Sequence, residues 1–412
     1  MKKTLAIILT LSLFLGLIPA MALADEPITL TYAHFSGSGT QEKTLYKMIE
    51  IFESKNPGIK IDLRITGYDQ YFTQLATQIA GGNPPDVFEV NMENFLAYML
   101  RGAVADITDL IPDRNAYSEG TLAACSKDGK LYAVPMSFST VVMFYNKDLF
   151  DKAGVAYPTS DWTWTEWHDA AQKIVTAGGE DTWGIYQPIT YNEFFKTAKT
   201  NGGSLLNEDM TKFTLNTPEN VEVLQAMIDR IRVMKVMPTQ EDMAGRGDWD
   251  LFCEGKLATI NTGIWAFPSF TEKCKFNWDI AVEPGMKNKA THFFANVNCV
   301  SPQSKNKEAA AKFINAMGSD PDIVQLRLDA AWELPTIADQ EKLAQYLEVT
   351  PPENREAVFE SMDYAAAPPA LIEQAAVAGM IDAILKALET NDMTAQEALD
   401  ELQAQLEEAD LL

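Results

Sequence analysis

The stretch LYAVPMSFSTVVMFYN, residues 131–146, decides the architecture of this chain. It is one long β-rich run that Pro135 interrupts near its start. Because proline cannot donate a hydrogen bond to a central ladder, the first part should lie at a sheet edge or cross between sheets. KDLFDKAG follows at residues 147–154 and restarts a helix. The stretch therefore predicts a strand that leaves one domain and enters another.

Upstream of this stretch, β-rich runs alternate with helical ones. ITLTYAHF (28–35), IKIDLRI (59–65) and PPDVFEV (84–90) read as strands. The two segments between them carry apolar residues at helical spacing. Strands that alternate with helices of this length predict βαβ units and a parallel sheet, so the expected fold class is α/β.

A cluster of tryptophans follows the stretch, at residues 162–167. Thr163 and Glu166 fit a capping box, in which each side chain binds the backbone N–H of the other residue. Trp164 and Trp167 then stand in the first turns of a helix. We interpret these two tryptophans as packing at the start of the helix rather than as a shelf for a ligand.

The N-terminus, residues 1–24, has the three parts of a secretory signal peptide. Lys2 and Lys3 are basic, an apolar run follows, and Ala22-Leu23-Ala24 ends it in an A-x-A cleavage site. A membrane-spanning helix is the alternative, but the apolar run of about 14 residues is shorter than the roughly 20 that spanning needs. No cysteine stands at the cleavage point, so we expect export to a periplasmic or extracellular location without a lipid anchor.

The amino-acid composition disfavours several classes of binding partner. The 412 residues are 47% hydrophobic and carry a formal net charge of −25, which disfavours nucleic acids and anionic membrane surfaces. The cysteines form no C-x-x-C pair, and the three histidines are isolated in sequence, so we expect no metal site. Cys253 and Cys274 could be bridged in an oxidising compartment, but the sequence leaves the connectivity open.

Motifs of catalysis are missing from the sequence. It contains no G-x-S-x-G, H-E-x-x-H, Walker loop or G-x-G-x-x-G. Carboxylates are plentiful, and counting alone does not exclude a glycosidase pair, although nothing singles one out. An exported α/β protein rich in aromatic residues is more typical of binding than of catalysis. We therefore expect no enzyme activity and no cofactor.

Several motifs, in this order, resemble the extracellular solute-binding proteins of ABC importers, in particular the branch with the maltose- and oligosaccharide-binding proteins. They are FESKNPGIKI, IAGGNPPDVFEV, GKLYAVP with MFYNKDLFDKAG and TWTEW, FCEGKLATINTGIW, and SPQSKNKEAAAKFINAM. The resemblance implies the type II periplasmic-binding-protein fold, two α/β lobes joined by hinge strands around a ligand cleft. It places lobe 1 at residues 25–136 and 284–331, and lobe 2 at 137–283 and 332–412.

The resemblance also implies a set of ligand-contacting side chains. Trp265 matches the family's stacking aromatic, and Phe35 and Ser36 follow the first strand and should face the cleft. Phe294-Ala295-Asn296 stands where relatives often have paired glycines and puts side-chain bulk or a polar group at the cleft rim, which makes Asn296 a candidate. The remaining candidates are polar or aromatic residues of matching segments: Asn91, Glu93, Asn94, Ser139, Tyr191, Asn192, Glu193, Trp332 and Trp183.

The expected function is capture of a sugar or oligosaccharide and its delivery to an ABC transporter permease. We expect the protein to be a monomer. Two alternatives stay open. One is a receptor for another small solute such as a polyamine, which the acidic composition allows. The other is an exported glycoside hydrolase, which turnover of glycosides by the purified protein would reveal.

Overall fold

The computed structural model describes residues 27–35, 40–111 and 113–412. Its strands are β1 (Ile28–His34), β2 (Ile59–Ile65), β3 (Val87–Asn91), β4 (Ser126–Lys127), β5 (Lys130–Leu131), β6 (Ala133–Asn146), β7 (Trp183–Tyr186), β8 (Leu257–Gly263), β9 (Trp278–Ala281), β10 (Thr291–Val300), β11 (Leu334–Pro335) and β12 (Ala365–Ala366). The predicted signal peptide lies outside the described residues.

Helices connect and cover these strands. They are α1 (Thr40–Lys55), α2 (Tyr68–Ala80), α3 (Met92–Leu100), α4 (Glu119–Ala124), α5 (Lys147–Ala153), α6 (Trp164–Gly178), α7 (Tyr191–Thr200), α8 (Pro218–Arg232), α9 (Gln240–Met243), α10 (Asp248–Cys253), α11 (Phe267–Lys273), α12 (Lys307–Ser319), α13 (Pro321–Asp329), α14 (Gln340–Ala344), α15 (Glu356–Met362), α16 (Gln374–Ala387) and α17 (Ala395–Ala409). Single 3₁₀ turns occupy Ile264–Ala266 and Gln345–Glu348. In the described part of the chain, every helix is too short or too polar to cross a membrane.

Strand β6 belongs to two sheets, as the opening stretch predicts. Its N-terminal half pairs antiparallel with β10, which continues the order β2-β1-β3-β10-β6. Its C-terminal half pairs antiparallel with β8 on one side and with β9 on the other, and β8 carries β7 in parallel. We call the part built on β1–β3 and β10 lobe 1, and the part built on β7–β9 lobe 2.

Pro135 lies in the ladder between β6 and β10, where the register shifts. Asn296 pairs with Ser137 and Val297 pairs with Pro135, so Met136 is the extra residue of a bulge. A proline has no N–H to give the ladder, and the bulge accommodates the missing hydrogen bond. The free edge of β6 beside it takes β11, whose Leu334 pairs with Phe138.

Each sheet has its own hydrophobic core. The lobe 1 core includes Tyr32, Phe88 and Phe313, and the lobe 2 core includes Phe144 and Trp167. The α/β fold class and the two-lobed architecture are confirmed, with β1, β2 and β3 parallel as the alternating pattern predicts. The residue boundaries assigned to the lobes stay a prediction.

The tryptophan cluster starts helix α6, and its capping residue behaves as the sequence predicts. The Glu166 carboxylate accepts hydrogen bonds from the backbone N–H of Thr163, at 3.0 Å, and from its hydroxyl. Trp164 and Trp167 are buried, and the Arg230 guanidinium lies 4.1 and 4.6 Å from their ring centroids. These indoles pack inside lobe 2, so they are structural.

We predict that Trp164→Phe lowers the free energy of unfolding by about 1 kcal/mol and leaves ligand affinity unchanged. The indole Nε1–H donates to the Pro284 carbonyl at 3.0 Å, and phenylalanine loses that bond while it keeps most of the buried area. Urea unfolding and a binding titration of the same preparation measure both quantities. A loss of affinity without a loss of stability would place Trp164 in the ligand site instead.

Candidate ligand-binding site

A cavity of about 530 Å³ lies between the two lobes, within the range of small-molecule sites. Lobe 1, lobe 2 and the strands that connect them all contribute to its wall. The lining residues are Phe35, Gln41, Tyr68, Asn91, Glu93, Ser139, Asn192, Asp248, Trp249, Trp265, Phe294, Asn296 and Glu333. The wall is therefore a mixture of aromatic rings with amides, carboxylates and a hydroxyl.

The lobe 1 wall is built where strands end. Phe35 follows β1, Tyr68 opens the helix after β2, and Asn91 ends β3. Ligands of open α/β sheets bind outside the carboxyl ends of the strands, which explains why these three residues converge. Phe35 and Tyr68 meet edge to face with ring centroids 5.4 Å apart. The Phe35 backbone N–H donates to the buried Glu89 carboxylate at 3.3 Å, which helps to hold the ring in place.

The lobe 2 wall centres on Trp265, in the 3₁₀ turn after β8. The indole is half-buried and contacts Phe294 with ring centroids 5.8 Å apart. Gly263 makes room for it, because a Cβ at that position would lie 1.9 Å from the indole Cζ3. The Trp265 carbonyl accepts a hydrogen bond from the Gln41 side chain of lobe 1 at 2.8 Å, so the two lobes touch here.

Polar groups near the lobe 1 wall form a hydrogen-bonded chain. The Asn91 amide donates to Glu93 Oε1 at 2.6 Å and to the Tyr68 hydroxyl at 3.0 Å. Asn94 in turn donates to Asn91 Oδ1 at 2.7 Å. These bonds fix the direction in which the Asn91 and Glu93 side chains face the cavity.

The carboxylate of Glu333, which precedes β11, forms the part of the cavity wall that we call the floor. The Ser137 hydroxyl donates to Oε2 at 2.5 Å, and Asn296 Nδ2 donates to Oε1 at 3.3 Å. Arg327 lies behind it, with Nη1 3.8 Å from Oε2. Burial raises the pKa of Glu333, and Arg327 opposes that rise. The floor thus offers oxygen acceptors whose positions are set by their own hydrogen bonds.

Glu93 gives the stability of the fold a pH dependence. Burial raises its pKa to about 7, against about 4.3 in an unfolded chain. Between these values the folded chain holds a proton that the unfolded chain has lost. The free energy of unfolding therefore falls as pH rises from about 4.5 to about 7, by up to about 1.4 kcal/mol per pH unit.

We predict that Glu93→Gln removes this contribution, since the amide keeps an oxygen for Asn91 and has no proton to lose. Urea unfolding of the wild type and the variant at pH 5, 6, 7 and 8 measures it. The gain of the variant over the wild type should grow with pH and level off above pH 7. Other titrating groups are common to both chains and cancel, so two parallel curves would contradict the prediction.

The structure brings most of the predicted residues together. Seven of them line the cavity: Phe35, Asn91, Glu93, Ser139, Asn192, Trp265 and Asn296. Ser36 lies outside the described residues. The contact of the seven lining residues with a ligand stays a prediction.

Five predicted residues lie away from the cavity wall. Trp332 is 1% exposed in the lobe 1 core, with the Arg327 guanidinium 4.8 Å from its ring. Glu193 is buried and pairs with Lys196, and Trp183 packs against the lobe 2 core from β7. Tyr191 is buried beneath helix α16, and Asn94 lies behind Asn91 in a neighbouring groove. For each of them, packing or a polar partner within the protein already occupies the side chain.

The sequence does not predict five other lining residues, Gln41, Tyr68, Asp248, Trp249 and Glu333. The position of two of them in the sequence could have identified them as lining residues. Gln41 and Tyr68 lie in the first turns of the helices that follow β1 and β2, so the rule that located Phe35 applies to them too. Asp248 and Trp249 begin helix α10 far along the chain, and no local pattern marks them.

The family model of the bacterial extracellular solute-binding protein matches residues 36–323, more than half of the chain. The chain belongs to this family. Family members and their solved relatives bind solutes, as the lobes and the cavity between them suggest.

One curated relative and two solved structures illustrate the family. The arabinooligosaccharide-binding protein of Bacillus subtilis (strain 168) is 27% identical over 382 residues, which cover 84% of this chain and 86% of that protein. The ABC substrate-binding protein Lmo0181 from Listeria monocytogenes, in complex with cycloalternan, is 42% identical with a TM-score of 0.89 and covers 93% of this chain and 99% of its own. Maltose-bound MalE3 of T. maritima, at 22% identity, TM-score 0.81 and coverage of 93% and 100%, shares the fold.

Proposed function

We propose that this chain binds an oligosaccharide in the cavity between its lobes and delivers it to the permease of an ABC importer. The observation that carries the proposal is the wall itself. Five aromatic rings alternate with carboxylates, amides and a serine hydroxyl around about 530 Å³. A sugar offers the matching surfaces, an apolar C–H face and a ring of hydroxyls.

The energetics suit a sugar. Burying roughly 100 Å² of a C–H face on the Trp265 indole contributes on the order of 2.5 kcal/mol. Specificity then comes from polar groups of the protein that need a ligand hydroxyl as their hydrogen-bond partner. A site built in this way rejects analogues that lack the hydroxyl. Glu333 and Asn91 suit this role, since their orientations are held by neighbours before a ligand arrives.

Binding of the ligand is coupled to closure of the two lobes. Lobe 1 and lobe 2 both line the cavity, so a ligand that contacts both walls favours the closed arrangement over the open one. A permease that recognises the closed arrangement would then receive only loaded protein. The predicted signal peptide at residues 1–24 would deliver the mature chain, which we expect to be a monomer, to the compartment where free solutes arrive.

Cycloalternan is the first ligand to test. It is the sugar in the complex of the Listeria protein, which is 42% identical to this chain. Arabino-oligosaccharides come second, because the Bacillus relative is named for them.

A second candidate ligand is a small cation such as a polyamine. Three carboxylates, Glu93, Asp248 and Glu333, line the cavity, and none of the described lining residues is a lysine or an arginine. Burial raises the pKa of Asp248, as it does for the other two. Glu93, whose pKa is about 7, is partly protonated near neutral pH, so it attracts a cation less and can exchange hydrogen bonds with hydroxyls, which favours the sugar.

Isothermal titration of the mature chain with cycloalternan, maltotriose, an arabino-oligosaccharide and spermidine tests the proposal. Saturable binding of one sugar, recovered unaltered by mass spectrometry after denaturing the protein, supports it. Saturation by spermidine alone would establish the cation receptor. Shortened products of a sugar would establish an exported glycosidase, contrary to the expectation that the chain is no enzyme.

A further inference from the structure

Two cysteines of lobe 2 lie side by side. Cys253 is the last residue of α10, and Cys274 follows the last residue of α11. Their Sγ atoms are 2.6 Å apart, although the residues are 21 positions apart in sequence. Cys253 is half-buried and Cys274 is 9% exposed, so Cys253 is the more exposed of the two residues.

The two helices that carry these cysteines also border the cavity, at their opposite ends. Helix α10 begins with Asp248 and Trp249, which line the cavity wall. Helix α11 begins directly after the turn that holds Trp265. A covalent link between Cys253 and Cys274 would therefore tie together the far ends of the two elements that present Trp249 and Trp265.

We propose that Cys253 and Cys274 form a disulfide in the mature protein. The proposal rests on the export that is part of the proposed function, because disulfides persist in oxidising compartments. The Cys253 thiolate attacks a sulfur of an external disulfide oxidant and expels one thiolate. Cys274, deprotonated, then attacks Cys253 and expels the second. Two protons and two electrons leave the protein, and the oxidant becomes two thiols.

The surroundings support this order of attack. A hydrogen bond from Cys274 lowers the pKa of Cys253, and the neighbouring Lys273 adds to the effect. The same contact with Cys253, together with burial, raises the pKa of Cys274. Cys253, the more exposed residue, is thus the better nucleophile towards a dissolved oxidant.

The remaining cysteines provide an internal reference. Cys125 and Cys299 are both 0% exposed in the lobe 1 core. Burial raises the pKa of Cys125 to about 12 and that of Cys299 well above its ordinary value. Buried thiols of this kind are inert towards dissolved oxidants, so the folded protein should keep two thiols and lose two.

A thiol count tests the proposal. The mature protein is incubated with glutathione disulfide, denatured and titrated with a thiol reagent, before and after reduction. We expect two reactive thiols before reduction and four after it, with a non-reduced digest that joins the peptides of Cys253 and Cys274. Four thiols before reduction, or a bridge that involves Cys125 or Cys299, would overturn the proposal.

A melting experiment adds a second measurement. A reductant should lower the Tm of the oxidised wild type by roughly 5 °C, because the bridge restricts the unfolded chain. Cys125→Ser should keep this response and the double variant Cys253→Ser/Cys274→Ser should lose it. An equal response in the double variant would contradict the bridge. Neither measurement uses a sugar, so the disulfide and the sugar-binding function can fail separately.

Discussion

Trp265→Ala should raise the dissociation constant of the bound sugar roughly 70-fold, the equivalent of about 2.5 kcal/mol. The Trp265 indole lines the cavity and lies between Gly263 and Phe294. Alanine leaves the sugar's C–H face without a surface to stack on. The side chain is only half-buried, so the Tm should fall by no more than a few degrees.

Two further variants sharpen this result. Trp183→Ala removes another half-buried indole of lobe 2 that does not line the cavity, and it should leave the affinity unchanged. Gly263→Ala keeps Trp265 but pushes a methyl group into its ring, so it should weaken binding in the same direction. Calorimetric titration measures all three. An unchanged dissociation constant in Trp265→Ala would remove this residue from the site.

Lys196→Met should lower the free energy of unfolding by about 3–5 kcal/mol, the largest loss of stability that we expect. Lys196 Nζ lies 2.5 Å from Glu283 Oε1 and 2.8 Å from Glu193 Oε2, and all three side chains are buried. Burial by itself would lower the pKa of Lys196, but the two carboxylates outweigh it and raise the pKa. Methionine fills much of the volume and leaves two buried carboxylates without their cation.

The loss should depend on pH. Burial raises the pKa of Glu283 even with Lys196 present, and removal of the lysine raises it further. A carboxyl whose folded pKa exceeds its unfolded value stabilises the fold at low pH and loses that contribution as pH rises. The destabilisation of Lys196→Met should therefore be smaller at pH 5 than at pH 8.

The matched control is Lys199→Met, one turn later in the same helix. Lys199 is half-buried, and its Nζ lies 4.9 Å from the centroid of the Phe195 ring. Its loss should cost within about 1 kcal/mol. Urea unfolding of both variants decides the matter. Equal losses, or a loss in Lys196→Met that is the same at both pH values, would show that the buried charges are not the cause.

Much of the fold could be predicted because the local patterns agree with the global architecture. The alternation of β1, β2 and β3 with helices predicts a parallel sheet, and the interrupted run at 131–146 predicts a strand shared by two sheets. The capping box at Thr163 predicts where α6 begins. Each of these features depends on residues that are neighbours in sequence.

The site could be predicted only in part. The sequence shows which segments lie near the cavity, but it does not show which of their side chains face it. The sequence predicts Trp332 as a ligand contact, yet its neighbour Glu333 lines the cavity while Trp332 is buried in the core. Tyr191 is buried, whereas Asn192, about 100° further around the same helix, faces the cavity. Side-chain direction depends on the packing of the whole lobe, which no short stretch of sequence contains.

The proposed function requires the two lobes to close around a sugar, and small-angle X-ray scattering of the mature protein measures that closure. The radius of gyration is measured without ligand and with a saturating amount of the sugar that titration identifies. We predict a smaller radius in the saturated sample, and the sugar recovered from it intact. Identical scattering profiles at proven saturation would contradict closure of the lobes on the ligand.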